Sequence, residues 1–275
     1  EIARRVAENG GEIFRNTEVD HLGAENKTIS WARLKDGTKI SGKSFISNLH
    51  PSVTIDLVAD SLTKKAHRHR LHSMKNTVGM FTLYAVLKKN TFPYLNFNHH
   101  HFSEINAWTS DYKADSWPTH FMFYTPAVSS SETWAESAIV ITYMHFEEVA
   151  RWTDTTVENR GDDYRSFKNR KAEKLIAFVN QKLPGFKDAI ETYYTSTPLT
   201  YRDYTATPEG SAYGILKNWQ DPLSTFISPR SRIPNLFYTG QNLNMHGILG
   251  VSIGSLLTCS EMVGLDYLVN KLKTY

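Results

Sequence analysis

The sequence has a single cysteine, Cys259, in 275 residues. That excludes a disulfide within the chain, and nothing in it requires an oxidising compartment. Cys259 sits in an apolar helical stretch and reads as a small core residue. Long apolar runs are missing too, none reaching the length needed to span a bilayer. Behind the opening Glu1-Ile2-Ala3-Arg4-Arg5 there is no apolar run of the kind a signal peptide needs. Charge of one sign is scarce: 31 Lys and Arg against 28 Asp and Glu leave +3, too mild to argue for nucleic acid as a partner. Repeats and low-complexity segments are absent. There is also no Gly-x-Ser-x-Gly elbow, phosphate-binding loop, His-Glu-x-x-His helix or EF-hand loop, which removes the chemistries those motifs carry.

Aromatic residues are present in quantity. Fourteen Tyr, 14 Phe and six Trp make up 12% of the chain. They suit the lining of a large apolar ligand site, and equally ordinary sheet packing. A length of 275 residues corresponds to about two domains. The first residues read as the middle of a helix, and we expect a fragment of a longer protein.

Ile2, Ala3, Val6 and Ala7 form a helical stripe ended by Gly10-Gly11. Extended segments are expected over 12–16 and 18–22. A hairpin is expected over 28–40, turning at Asp36-Gly37. A strand then runs into His50-Pro51, with the proline at a first helical turn. Segment 61–74 is basic, carrying Lys64, Lys65, His67, Arg68, His69, Arg70 and His72. It reads as a solvated helix face or as an interfacial helix drawn to anionic lipid. Residues 76–150 are β-rich. Within them His99-His100-His101 gives no metal site, because adjacent strand residues point to opposite faces. A covering helix is expected over 163–183, stopped by Pro184-Gly185.

The stretch that organises the chain is Pro234 to Gly254: a buried strand, the turn Tyr238-Thr239-Gly240-Gln241, a polar loop, and Gly247-Ile248-Leu249-Gly250-Val251 opening a helix. Glycines that admit close backbone approach, followed by free helix N–H groups, hold an anionic or polar cofactor edge, although the same pattern can serve only as a connection. From Gly250 onward the helix is apolar on nearly every side, which calls for an interior position.

These residues resemble the C-terminal flavin-binding signature of the phytoene desaturase superfamily. Gly240-Gln241 is most similar to the branch of all-trans-retinol 13,14-reductase and prolycopene isomerase. Asn244-Met245 and Leu249 stand where bacterial desaturases carry His-Pro and Pro. The order helix, Gly-Gly-Glu strand, hairpin and Ile-Ser-Asn strand resembles the same flavin domain. Thr197-Pro198-Leu199-Thr200 and Gly210 to Gly214 resemble a strand returning to it beside the ring.

The resemblance implies an α+β chain, a fragment of an α/β flavoprotein, with flavin-domain segments at 1–60 and 215–275 and a helix-covered sheet substrate domain at 61–214. It implies FAD as cofactor. Gly240 and Gln241 would lie along the ribityl and pyrophosphate, Gly247, Ile248, Leu249, Gly250 and Val251 at the flavin ring, and Val19 beside the adenine. Tyr201 and Tyr213 would border an apolar substrate. His246 is a candidate modulator, and no catalytic residue can be named. The Gly-x-Gly-x-x-Gly unit that such proteins need is absent, so the isolated chain is expected to bind FAD weakly or not at all and to be inactive. The implied enzyme acts on C–C bonds of a conjugated, carotenoid- or retinoid-like substrate, in the cytoplasm or at a membrane periphery through 61–74. Competing readings are a flavin amine oxidase and a non-catalytic module for an apolar ligand or partner.

Overall fold

The computed structural model describes residues 1–104, 112–128 and 133–274. The chain divides into two compact units: residues 1–74 with 217–275, and residues 75–216.

The first unit opens with α1 (Ile2–Glu8), a solvated helix tied by Arg4 to Glu1 and Glu8. Residues 12–16 form no strand. A three-stranded antiparallel meander follows, built from β1 (Val19–Glu25), β2 (Thr28–Leu34) and β3 (Lys39–Ser41). The β2–β3 turn falls at Asp36-Gly37, where Gly37 has φ +91°. Its core side buries Leu22 and Ile29 with Val58, Ile233 and Leu236. After β4 (Phe45–Ser47), His50 caps α2 (Pro51–Asp56): its ring accepts the Ser52 N–H at 3.2 Å, and Pro51 stands at the first helical position. The basic stretch forms α3 (Lys65–His72), of which only Leu71 is buried.

The second unit is a five-stranded antiparallel sheet in the order β6-β7-β8-β5-β9, made of β5 (Gly79–Leu87), β6 (His99–Phe102), β7 (His120–Tyr124), β8 (Ser137–Met144) and β9 (Ile190–Ser196). Residues 105–111 and 129–132 of the β-rich stretch lie outside the described set. Alternation divides the sheet's two faces. Phe81, Leu83, Phe121, Phe123 and Val140 are buried on one of them. The covering helix α4 (Gly161–Lys182) presents Tyr164, Ala172, Leu175, Ile176 and Val179 to that core at helical spacing. Asp162 and Asp163 in its first turn complement the helix dipole. Gly185, at φ +90°, leads into the short α5 (Phe186–Ala189).

After β9 the chain does not continue as the expected returning strand. Thr197 caps α6 (Pro198–Thr205) with reciprocal Thr197 and Thr200 bonds, and Pro198 sits at the first helical position. The Thr-Pro pair is a helix start, since proline costs nothing where the N–H would be unpaired.

The first unit resumes with β10 (Leu236–Tyr238), which pairs in parallel with β4. It ends with α7 (Gly247–Val263) and α8 (Leu265–Lys273). The interior position expected for α7 is not found. It buries only Gly250, Gly254 and Thr258, one residue per turn, and Ile248 is 88% exposed. Cys259 lies on an exposed side and is no core residue. The small-residue stripe packs on protein, with Thr258 Oγ1 donating to the Tyr238 carbonyl at 2.9 Å, and Arg230 donates to the Glu261 carbonyl near the helix end at 2.7 Å. Among the described residues, no helix is long and apolar enough to cross a membrane.

One buried ion pair fixes α6 in the second unit. Arg160, almost wholly buried, bonds Asp203, while its other nitrogen reaches the Thr155 carbonyl at 2.9 Å. Asp203 also holds Arg202 at 2.9 Å. Removing one partner strands the other charge. Asp203→Ala should cost about 3 kcal/mol in urea unfolding. A loss under about 1 kcal/mol would show that Arg160 finds water instead.

Candidate functional site

The parallel pairing of β4 with β10 sets Phe45 opposite Leu236 and Ser47 opposite Tyr238. Thr239 N–H continues the ladder to the Ser47 carbonyl at 2.9 Å. Both strands therefore release their chains at the same end, Asn48 beside Gly240. The contact leaves no room for a side chain: a Cβ on Gly240 would lie 1.8 Å from Asn48 Oδ1, and its φ of +91° disfavours any L-residue.

Beyond Gly240 the loop is pinned from below. Lys217 Nζ donates to the carbonyls of Asn242 at 2.6 Å and Leu243 at 2.7 Å. Burial, helped by the Arg70 charge, pulls this amine down to about 8. Gly247, at φ +77°, opens α7, and a Cβ on Gly250 would strike the Met245 carbonyl carbon at 2.7 Å. His246 stands at the N-cap with an extended backbone and makes no side-chain cap bond. The first-turn N–H groups of α7 have no partner within the helix, which makes this end a site for negative charge.

Gly240, Gln241 and Gly247 to Val251 thus share one strand–loop–helix connection. Ile248 and Leu249 point outward, the latter 72% exposed, while Val251 is half-buried. Val19 lies on a different sheet, paired with Leu34 at the start of β1.

In the second unit, a cavity of about 370 Å³ is lined by Tyr143, His145, Glu147, Glu209, Tyr213 and Leu216, among others. Tyr213 is on its wall and is held by its N–H to Thr77 Oγ1 at 3.0 Å. Tyr201 is not; its hydroxyl pairs with Thr82 Oγ1 at 2.7 Å. Burial raises both phenols, and Tyr143 and Tyr201 add to the effect on Tyr213. Strand register puts Met80 opposite Tyr143, Thr82 opposite Ile141 and Tyr84 opposite Ile139, on the face away from α4. Among the described residues, no three or more His, Cys, Asp or Glu converge to hold a metal; His99 and His101 pack on Phe121.

Sequence reasoning missed Tyr143, His145 and His120. The period of two in β8 carries the signal for Tyr143, which shares a face with Ile139 and Ile141. His120 accepts the Tyr143 N–H on Nε2 at 3.2 Å and lies 4.1 Å from that ring.

No family model matches the chain. It is 29% identical over 151 residues to all-trans-retinol 13,14-reductase of Danio rerio, covering 52% of this chain and 25% of that protein. The Homo sapiens protein of the same name is 33% identical over 134 residues, 48% of this chain and 21% of its own length. Prolycopene isomerase of Daucus carota is 23% identical over 281 residues, covering 96% of this chain and 42% of that protein. The chain is a homologue of these proteins. Among solved structures, a cofactor-site redesign of putrescine oxidase matches with TM-score 0.59 at 12% identity, covering 94% of this chain and 51% of that one. An oxidoreductase from Methanosarcina mazei matches with TM-score 0.52 at 14% identity, over 90% and 50%. The chain has the fold of FAD-dependent oxidoreductases over about half the length of those structures.

Two expectations follow from this geometry. Gly240→Ala should lower stability by about 2 kcal/mol in thermal or urea unfolding, through strained φ and the Asn48 collision. Asn48→Gly in the same chain should recover the collision part and leave the backbone part. His120 supplies the second. Burial, with a smaller contribution from His100, pulls its imidazole down to about 4 from the ordinary 6.5. The unfolded chain then binds the proton first, so stability is full above pH 6.5 and is lost as pH falls toward 4. After discounting for partial exposure, the loss is about 2 kcal/mol. In His120→Asn this part of the pH slope should vanish; an unchanged slope would assign it to other groups.

Proposed function

We propose that the chain is the C-terminal part of an FAD-dependent oxidoreductase that acts on a C–C bond of an apolar conjugated compound, and that it is inactive by itself. Residues 1–60 and 215–275 are assigned to the flavin domain, and 61–214 to the substrate domain. The observation that carries this reading is the glycine-lined convergence of Asn48 and Gly240 ahead of the open α7 start, where a side chain at either Gly240 or Gly250 would clash. Homologues named retinol reductase and diapophytoene desaturase support the redox class and the substrate type.

In this reading, the backbone of Gly240 and Gln241 faces the ribityl and pyrophosphate, and Val19 the adenine. The N–H groups of Gly247 to Val251 would hold the flavin ring by an electron-rich edge, where helix-start donors favour negative charge. His246, at the N-cap, adds a titratable group there. The flavin supplies hydride exchange, while the protein orients the substrate and excludes water. Tyr213 borders the substrate cavity, and Tyr201, bonded to Thr82, holds the wall behind it.

The cavity supports a second reading. Glu147 and Glu209 with Tyr143 and Tyr213 offer an amine both a counter-charge and aromatic walls, and solved amine oxidases share the fold.

The test is to express the protein encoded when the reading frame is extended upstream of Glu1, purify it and record visible absorption. Bound flavin is expected in the longer protein and not in residues 1–275. A colourless longer protein overturns the oxidoreductase reading and leaves a binding module. If flavin is bound, anaerobic bleaching by an amine rather than turnover of a polyene selects the second reading.

A further inference from the structure

A cavity of about 620 Å³ in the first unit has no role in the flavin reading. Its wall carries Arg70 and His67 from α3 and Arg230 and Arg232 from the segment before β10, and among the described residues no acidic one lines it. The cations are held differently. Arg70 donates to the Phe226 carbonyl at 2.7 Å, and Arg230 pairs with Glu261 at 2.9 Å. Arg232 is exposed. Together with Arg70 and Arg68, it opposes protonation of His67, whose pKa is lowered first by burial. Two polar atoms are buried here with no hydrogen-bond partner, His67 Nε2 and the Tyr238 hydroxyl. Tyr238 is only 3% exposed and lines the cavity. A buried hydroxyl left unpaired among guanidinium groups is a donor without an acceptor.

Beside the cavity the chain exposes apolar side chains on a well-fixed loop. Trp219 is 83% and Leu223 80% exposed, and Phe226 joins Leu223 on the cavity wall. The loop is closed at its base by Asn218 N–H to Thr225 Oγ1 at 3.1 Å, and is turned by Asn218 Oδ1, which accepts the Gln220 N–H at 3.0 Å. Arg70, through its bonds to the Ser224 and Phe226 carbonyls, ties this loop to the basic helix. Exposed Trp and Leu on a braced loop next to a cationic hollow are arranged for a surface that is apolar inside and anionic at its boundary.

We propose that this is a phosphate-headgroup site for an anionic bilayer, in which the lipid phosphate enters the cavity among Arg70, Arg230, Arg232 and Tyr238 while Trp219 and Leu223 enter the interface. Planar guanidinium groups bind phosphate in a forked geometry, and each basic group near an anionic surface adds to attraction. The inference does not rest on the redox reading.

The experiment is flotation of the 275-residue chain with vesicles of phosphatidylcholine alone, and of phosphatidylcholine containing phosphatidic acid. Binding is expected only to the acidic vesicles. Arg232→Glu should weaken it roughly tenfold or more, and Trp219→Ser with Leu223→Ser by a similar factor. Lys89→Glu, with the same change in net charge on the other unit, should leave binding within about twofold. Circular dichroism checks that each variant is folded. Equal binding to neutral vesicles, or equal loss in Lys89→Glu, overturns the headgroup site in favour of diffuse attraction. Protection of Tyr238 from nitration by inorganic phosphate, without vesicle binding, overturns the lipid source and assigns a soluble phosphate compound. Flotation of residues 1–275 but not of the upstream-extended protein also overturns it, since further chain would then cover the loop.

Discussion

The contact between Gly240 and Asn48 is the constraint on which the first unit depends. Two parallel strands of three residues each bring their ends together, and the second must turn at once without a side chain. A left-handed glycine makes that turn possible and directs the chain through the loop pinned by Lys217 into α7. Both anchors, the left-handed glycine and the Lys217 bonds to two carbonyls, act on the backbone, so the loop's shape depends little on which side chains it carries. That is the behaviour the proposed cofactor site requires, since it would hold its ligand by main-chain groups.

The second unit solves a different problem. Its sheet is closed on one face by α4 and α5 around Phe81, Phe121, Phe123 and Phe186; Phe123 meets Phe186 edge to face, and Phe121 meets Phe178 of α4 in the same way. The opposite face holds half-buried Met80, Ile139, Ile141 and Tyr143. An antiparallel sheet tolerates one wet face, but that face would ordinarily be polar. Here it carries aliphatic and aromatic side chains, of which Tyr143 joins Glu147 and Glu209 on the cavity wall. The unit therefore combines an aromatic core on one face with a mixed polar and aromatic cavity wall on its other side.

Much of this was legible in the sequence because local chemistry and tertiary packing agreed. Asp36-Gly37, His50-Pro51 and the stripe from Tyr164 to Val179 each signal their element without help from distant residues. Thr197-Pro198 was legible too, but as a helix start; a family resemblance to a returning strand outweighed a capping rule that should have prevailed. The cavity was not legible, since Tyr143, Glu209 and Tyr213 come together only through strand pairing and the bridge between Gly79 and Ser211. Burial of α7 and of Cys259 was inferred from hydrophobicity alone, and that inference assumes all the covering protein is in the same chain.

The exposure of α7 is best understood through the strands beneath it. A parallel pair exists in proteins almost only within a larger sheet covered on both faces, and two strands do not hold by themselves in water. The β4–β10 pair is therefore stabilised here by what lies next to it: the meander core on one side through Leu236, and the Thr258 and Gly254 stripe of α7 on the other. A helix that buries only three small residues, and leaves Ile248, Leu249, Leu256 and Leu257 exposed, has most of its apolar composition uncovered among the described residues. The proposal of a partial flavin domain accounts for both oddities together, because additional parallel strands and their helices would complete the sheet and cover α7 in the same step. A binding module complete in itself would have to explain each separately, and hydrophobic burial gives it no reason to keep either.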